Sequence, residues 1–183
     1  MPYQPPPRSK SDQAKFITLV AVLTVVMIAV QLWWRGDGPP HRPVALPPMM
    51  MVDGWLNTEA PPETAELRKG LLVVDCWATW CGPCRASLPN FAEIHRIYGD
   101  EPGVTFVGLT SEPESDRAKI EQVIDSTEGF DWPVAYGAQP MFDALGIQGI
   151  PTFYIFKNGR SIWSGHNVDR LASELGKAIE LGS

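Results

Sequence analysis

Residues 71–89 read LLVVDCWATWCGPCRASLP. The first seven form an apolar run broken by one carboxylate, Asp75, and they predict a buried strand. Two cysteines, Cys81 and Cys84, then enclose Gly82-Pro83, and Pro89 falls inside what otherwise reads as a helix to about Tyr98. This spacing admits three chemistries: a metal clip, a structural disulfide, or a redox pair that opens and closes in each turnover.

The chain has three cysteines, the third being Cys76. A structural zinc site usually needs four Cys or His ligands, and His41, His95 and His166 have no metal-ligand spacing to the cysteines. A metal clip is the weaker reading, and no metal is expected. Haem attachment is excluded because Arg85, not His, follows Cys84.

Downstream, VTFVGLT (104–110) predicts a second strand. SDRAKIEQVIDST (115–127) predicts a helix with Ala118, Ile120, Val123 and Ile124 on its apolar face. A short helix is expected around Pro140–Leu145. PTFYIF (151–156) and SIWSG (161–165) predict a hairpin closed by Asn158-Gly159, and VDRLASELGKAIELG (168–182) an amphipathic helix with Leu171, Leu175 and Ile179 on one stripe. Gly54-Trp55 opens a further short strand. The class is α/β: a central mixed sheet, parallel in its core, with an antiparallel edge hairpin and helices on both faces.

Upstream, FITLVAVLTVVMIAVQLWW (16–34) carries no charge. Nineteen helical residues span roughly 28 Å, close to a hydrocarbon thickness of about 30 Å. Trp33 and Trp34 suit an interface, and a signal-peptidase site would need small residues where Gln31 to Trp34 stand. An uncleaved transmembrane helix is expected. Arg8, Lys10 and Lys15 before it outweigh Arg35 and Arg42 after it, which favours a cytoplasmic N-terminus. Eleven of the 18 prolines lie within residues 1–62, so this third is poor core material. The expected organisation is a cytoplasmic tail (1–15), the membrane helix (16–34), a proline-rich linker (35–53) and a folded domain (54–183). The stalk GDGPPHRPVALPP (36–48) would reach roughly 40 Å if extended. Residues 54–183 carry 10 Lys+Arg against 18 Asp+Glu, which argues against nucleic-acid partners.

VVDCWATWCGPC, Pro89 and GIQGIPTFYIFKNGR together resemble thioredoxin in order and spacing. The apolar N-terminal segment, DGWLNTEAPPETAELRKG and the long segment 111–135 resemble the membrane-tethered TlpA-like thiol-disulfide oxidoreductases. The resemblance covers about residues 54–183. It implies a thioredoxin-like fold and a redox pair, with no cofactor beyond the Cys81–Cys84 disulfide. Cys81, at a helix N-terminus that favours its thiolate, is the implied nucleophile, and Cys84 the resolving thiol. Asp75 would deprotonate Cys84; a carboxylate in an apolar strand is costly unless neutral or paired. Trp80, Gly82, Pro83, Ile150 and Pro151 are the implied substrate contacts, with Pro151 as the family's cis-proline and core packing an equal alternative for Trp80. Alternation puts Cys76 on the opposite sheet face from Asp75, as a buried inert thiol.

Two positions depart from the pattern. Ser87 stands where many TlpA-like proteins carry Glu, and Gly108 where thioredoxin has a strand lysine, so acid-base work rests on Asp75, and a role in cytochrome c maturation loses support. The implied function is a protein-disulfide reductase in the cytoplasmic membrane, its domain on the periplasmic side. Its partners would be protein disulfides and a membrane or soluble electron-donor thiol protein. The alternatives are a disulfide oxidase or isomerase, and a copper(I) metallochaperone using the same cysteines.

Overall fold

The computed structural model describes residues 10–35, 42–48 and 50–181. The chain divides into two units, residues 1–41 and 42–183. The first contains helix α1 (Lys10–Arg35). Its side chains are described over residues 15–28 and are exposed. Among the described residues no helix is long and apolar enough to cross a membrane. The side chains of Trp33 and Trp34, the tail up to Ser9 and the prolines at 39 and 40 lie outside the described residues.

The second unit holds β1 (Gly54–Leu56), α2 (Thr64–Leu67), β2 (Leu71–Trp77), α3 (Gly82–Tyr98), β3 (Val104–Thr110) and α4 (Arg117–Ser126). It continues with β4 (Val134–Tyr136), α5 (Gln139–Leu145), β5 (Thr152–Lys157), β6 (Arg160–Gly165) and α6 (Val168–Glu180). The six strands form one sheet in the order β1-β4-β3-β2-β5-β6. β2, β3 and β4 are parallel, while β1 and the β5–β6 hairpin add antiparallel strands at either side. The expected mixed sheet with its parallel core and edge hairpin is therefore present. Strand β4, three residues after Pro133, was not visible in the hydrophobic pattern.

All seven residues of β2 are buried, because it lies at the centre of the sheet with both faces covered. Its alternation divides the core. Leu71, Val73 and Trp77 join one cluster with α3, α4 and α6. Leu72, Val74 and Cys76 join the other with α5 and Leu46. Phe91 of α3 anchors the first cluster, 4.8 Å from the Trp132 ring and 5.8 Å from the Phe153 ring. In α4 the buried residues are Ile120, Val123 and Ile124; Ala118 is exposed instead, because two residues before Ile120 it lies about 200° round the helix, on the opposite face. The hairpin turn has Asn158 at φ 51° and Gly159 at φ 75°, the paired positive angles of a tight I′ turn.

The linker shortens at its domain end. Leu46 is 1% exposed, Ala45 bridges Arg160, and Leu46 N–H donates to the Gly159 carbonyl at 2.8 Å. Arg68 Nη1 donates to the Leu46 carbonyl. Residues 44–46 thus pair beside the start of β6 and cover part of an exposed sheet edge. An apolar triplet between prolines is extended and free to do this, whereas a spacer needs no buried leucine.

Candidate active site

β2 ends at Trp77, and the chain turns through Ala78, Thr79 and Trp80 into α3. Cys81 is the N-cap of α3, with extended backbone (φ −82°, ψ 99°), and Pro83 occupies the first turn, where a missing N–H costs nothing. Cys81 and Cys84 form a disulfide with Cα atoms 5.2 Å apart. The Cys84 N–H points at Cys81 Sγ at 3.2 Å. In the reduced protein this donor and the helix dipole favour negative charge on Cys81. Gly82 and Pro83 are exposed while both cysteines are buried. Trp80 is 72% exposed, which removes the core-packing alternative for it.

Asp75 is 1% exposed, and neither carboxyl oxygen has a hydrogen-bond partner among the described residues. Burial disfavours its charged form and pushes its pKa up to about 8. In the parallel ladder its neighbour on β3 is Gly108, which offers no side chain to pair with it. The space at Gly108 is tight. A Cβ there would lie 3.2 Å from the Trp77 indole nitrogen and 3.3 Å from that of Trp132. A side chain there would need both rings to give by a few tenths of an ångström. Cys76 belongs to the other face, and burial together with the nearby Asp75 raises its thiol pKa well above the usual range, which suits an inert residue.

The Ile150–Pro151 peptide is cis and immediately precedes β5. Ile150 is half-buried against both core clusters. The pairs Asp75–Phe153 and Cys76–Thr152 set the start of β5 beside the end of β2, so the Ile150–Pro151 loop and the cysteine loop leave the same end of the sheet.

Two features of this region were not legible in the sequence. Glu112, 7% exposed, accepts hydrogen bonds from Thr79 N–H (2.7 Å), Thr79 Oγ1 (2.5 Å) and Thr110 Oγ1 (3.0 Å). It ties the cysteine loop to the end of β3. In sequence it is one of several acids in SEPESD, and its only signal is Thr110 two residues earlier. His166, after β6, bonds Pro151 and Thr152; in sequence it is weighed only as a metal ligand. Glu112→Ala would leave one buried N–H and two hydroxyls without their acceptor. We expect a loss of about 2–3 kcal/mol, the usual cost of stranding buried polar groups, seen as a lower urea midpoint with an unchanged slope. An unchanged midpoint would mean that water replaces the carboxylate.

Among the described residues, no group of three or more His, Cys, Asp or Glu side chains is placed to hold a metal ion. A family model described as thioredoxin-like matches residues 70–162, just over half of the chain. The chain belongs to the thioredoxin-like family. Its thioredoxin-like domain is 32% identical over 92 residues to the thioredoxin of Malassezia sympodialis, covering 50% of this chain and 64% of that protein. The chain spans 24%, 64% and 63% of the length of three of the curated relatives it matches, less than two thirds of each. Among solved structures, a thiol-disulfide isomerase from Corynebacterium glutamicum aligns with TM-score 0.59 at 23% identity, over 73% of this chain and 94% of that one. A secreted disulfide oxidoreductase of Mycobacterium tuberculosis aligns with TM-score 0.54 at 20% identity, over 64% and 89%. At these identities the solved structures share the thioredoxin-like fold.

Proposed function

We propose that this chain is a membrane-tethered protein-disulfide reductase that works outside the cytoplasm through the Cys81–Cys84 pair. The observation that carries the reading is the pair itself: a disulfide closed across the first turn of α3, with Cys81 as N-cap. In the reduced form, the Cys81 thiolate attacks one sulfur of a client disulfide. A mixed disulfide forms and the client's other sulfur leaves as a thiolate. Asp75, whose carboxyl pKa of about 8 lies near that of a thiol, takes the proton of Cys84. The Cys84 thiolate then attacks Cys81 Sγ, which closes the internal disulfide and releases the second client thiolate. Two electrons pass to the client, and an external thiol donor must resupply them. Gly82-Pro83 between the cysteines is similar to reducing thioredoxins and supports this direction over oxidation. The test is insulin reduction by the full-length chain with a dithiol donor, together with the cysteine variants discussed below. Oxidation of dithiols without reduction of disulfides would reverse the assigned direction. Stoichiometric copper(I) binding without disulfide turnover would overturn the enzyme reading.

Tethering is supported by the uncharged stretch 16–34, which falls within helix α1. The excess of basic residues before it supports an extracytoplasmic domain. In intact cells with a permeabilised outer envelope, a protease should cut within residues 36–48, and a membrane-impermeant thiol reagent should reach the reduced Cys81. Labelling that requires breach of the inner membrane would refute this topology.

A further inference from the structure

His166 is exposed and follows the last residue of β6, yet its ring is tied down. Its Nδ1 lies 2.7 Å from the Pro151 carbonyl oxygen and 3.1 Å from Thr152 Oγ1. A carbonyl oxygen only accepts, so Nδ1 carries a proton. The Thr152 hydroxyl gives its own proton to the Gly149 carbonyl at 2.5 Å, so toward His166 it also accepts. Both contacts select one tautomer, and they leave Nε2 of the neutral ring as an acceptor. Among the described residues Nε2 has no hydrogen-bond partner.

The register defines where this acceptor stands. Phe153 pairs with Gly165, and Thr152 pairs with Cys76. His166 therefore stands beside Ile150–Pro151, at the end of the sheet from which the cysteine loop also leaves. An extended client segment brings a backbone N–H every residue. At this end Pro151 has no donor of its own, and the Gly149 and Pro151 carbonyls already accept from Thr152 and His166. The bond from His166 to Pro151 in effect passes the acceptor role outward to Nε2.

We infer that His166 is a substrate-contacting residue whose ring, held with a proton on Nδ1, offers Nε2 to a backbone N–H of the client segment lying along Ile150–Pro151. The inference rests on the disulfide-reductase reading. A backbone amide is common to all clients, so this contact adds affinity without sequence selectivity.

The test uses the full-length chain in detergent micelles with disulfide-linked peptides. His166→Ala should raise KM about 5-fold, the ratio that one net hydrogen bond is worth, with kcat unchanged. Reduction of a small aromatic disulfide, which has no peptide backbone, should not change. His166→Asn keeps an N–H for Pro151 but lacks the outer acceptor, so its KM should match that of Ala. His166→Gln carries an oxygen near the position of Nε2 and should recover part of the affinity. Methylating the peptide amides one at a time should find one site that costs the wild type about 5-fold and costs His166→Ala nothing. Long-range nitrogen–proton NMR should find Nε2 bare in the neutral ring. A proton on Nε2, an unchanged KM in the Ala variant, or equal methylation costs in both proteins would overturn the inference. A wild type inert toward every disulfide would overturn the reductase reading and this one with it; activity indifferent to His166 would overturn this one alone.

Discussion

Replacement of Cys81 by Ser will abolish reduction of protein disulfides, whereas Cys84→Ser will attack its client once and remain joined to it. Both variants lack the internal disulfide, so a difference between them reports role and not mere loss of a crosslink. The asymmetry follows from local geometry. Cys81 caps α3 and receives the Cys84 N–H, and both features favour a thiolate there. Acidity alone gives little speed. Lowering a thiol pKa from about 8.5 to about 7 raises the thiolate fraction at neutral pH about 16-fold. A Brønsted slope near 0.5 returns about 6-fold of this as lost nucleophilicity, for a net gain of about threefold. The larger gain comes from holding the second sulfur one helical turn from the first, so that resolution is intramolecular. Non-reducing electrophoresis should show Cys84→Ser trapped with its client through Cys81, and no adduct with Cys81→Ser. If mildly acidic alkylation of the reduced protein modified Cys84 before Cys81, the two roles would be exchanged.

Asp75→Asn should slow release from the mixed disulfide by about 10- to 100-fold, the usual contribution of a general base or somewhat below it, and leave the first attack nearly intact. The first step uses a thiolate that already exists in part on Cys81. The second requires deprotonation of Cys84, and with Gly108 opposite Asp75 the adjoining strand supplies no substitute base. Rapid-mixing kinetics with a fluorescent disulfide separates the two steps. Equal slowing of both, or of neither, would reduce Asp75 to a structural residue.

The same substitution should alter stability with a defined sign. The Asp75 pKa rises from 3.8 to about 8 on folding. Between those values the folded protein holds a proton that the unfolded chain has released, so stability falls as pH rises through this window. At about 1.4 kcal/mol per unit, the penalty above pH 8 is on the order of 6 kcal/mol. Asn carries no charge, so the variant should be more stable than the wild type at pH 8 and lose its advantage near pH 4. Denaturation of the oxidised protein at both pH values checks this. An advantage that did not depend on pH would assign the effect to packing.

How far the sequence reaches depends on the range of the interaction. The apolar run at 71–77 forces a buried strand wherever it sits in the sheet, and Asn158-Gly159 forces a tight turn by its own backbone preferences. The apolar periodicity after the cysteine motif reads as a helix to about Tyr98, while the place of Cys81 at its N-terminus comes from the resemblance to thioredoxin and is where the structure puts it. Asp75 also announces itself, since a carboxylate among leucines and valines needs a reason. β4 escaped because three residues carry too little periodicity; its existence depends on β3 and β1 standing on either side of it.

What the chain determines alone is therefore local: which segments are strands or helices, where the hairpin turns, and that one carboxyl is out of place. The tertiary structure decides whatever depends on two distant segments meeting. It sets Gly108 opposite Asp75, so that the carboxyl stays unpaired and its pKa climbs. It brings Glu112 to Thr79 across 33 residues and His166 to Thr152 across 14. It turns Trp80 outward and folds Leu46 inward. The physical reason is that hydrogen bonds and desolvation act over a few ångströms of space, whatever the separation along the chain, while helix, strand and turn preferences act between near neighbours in sequence.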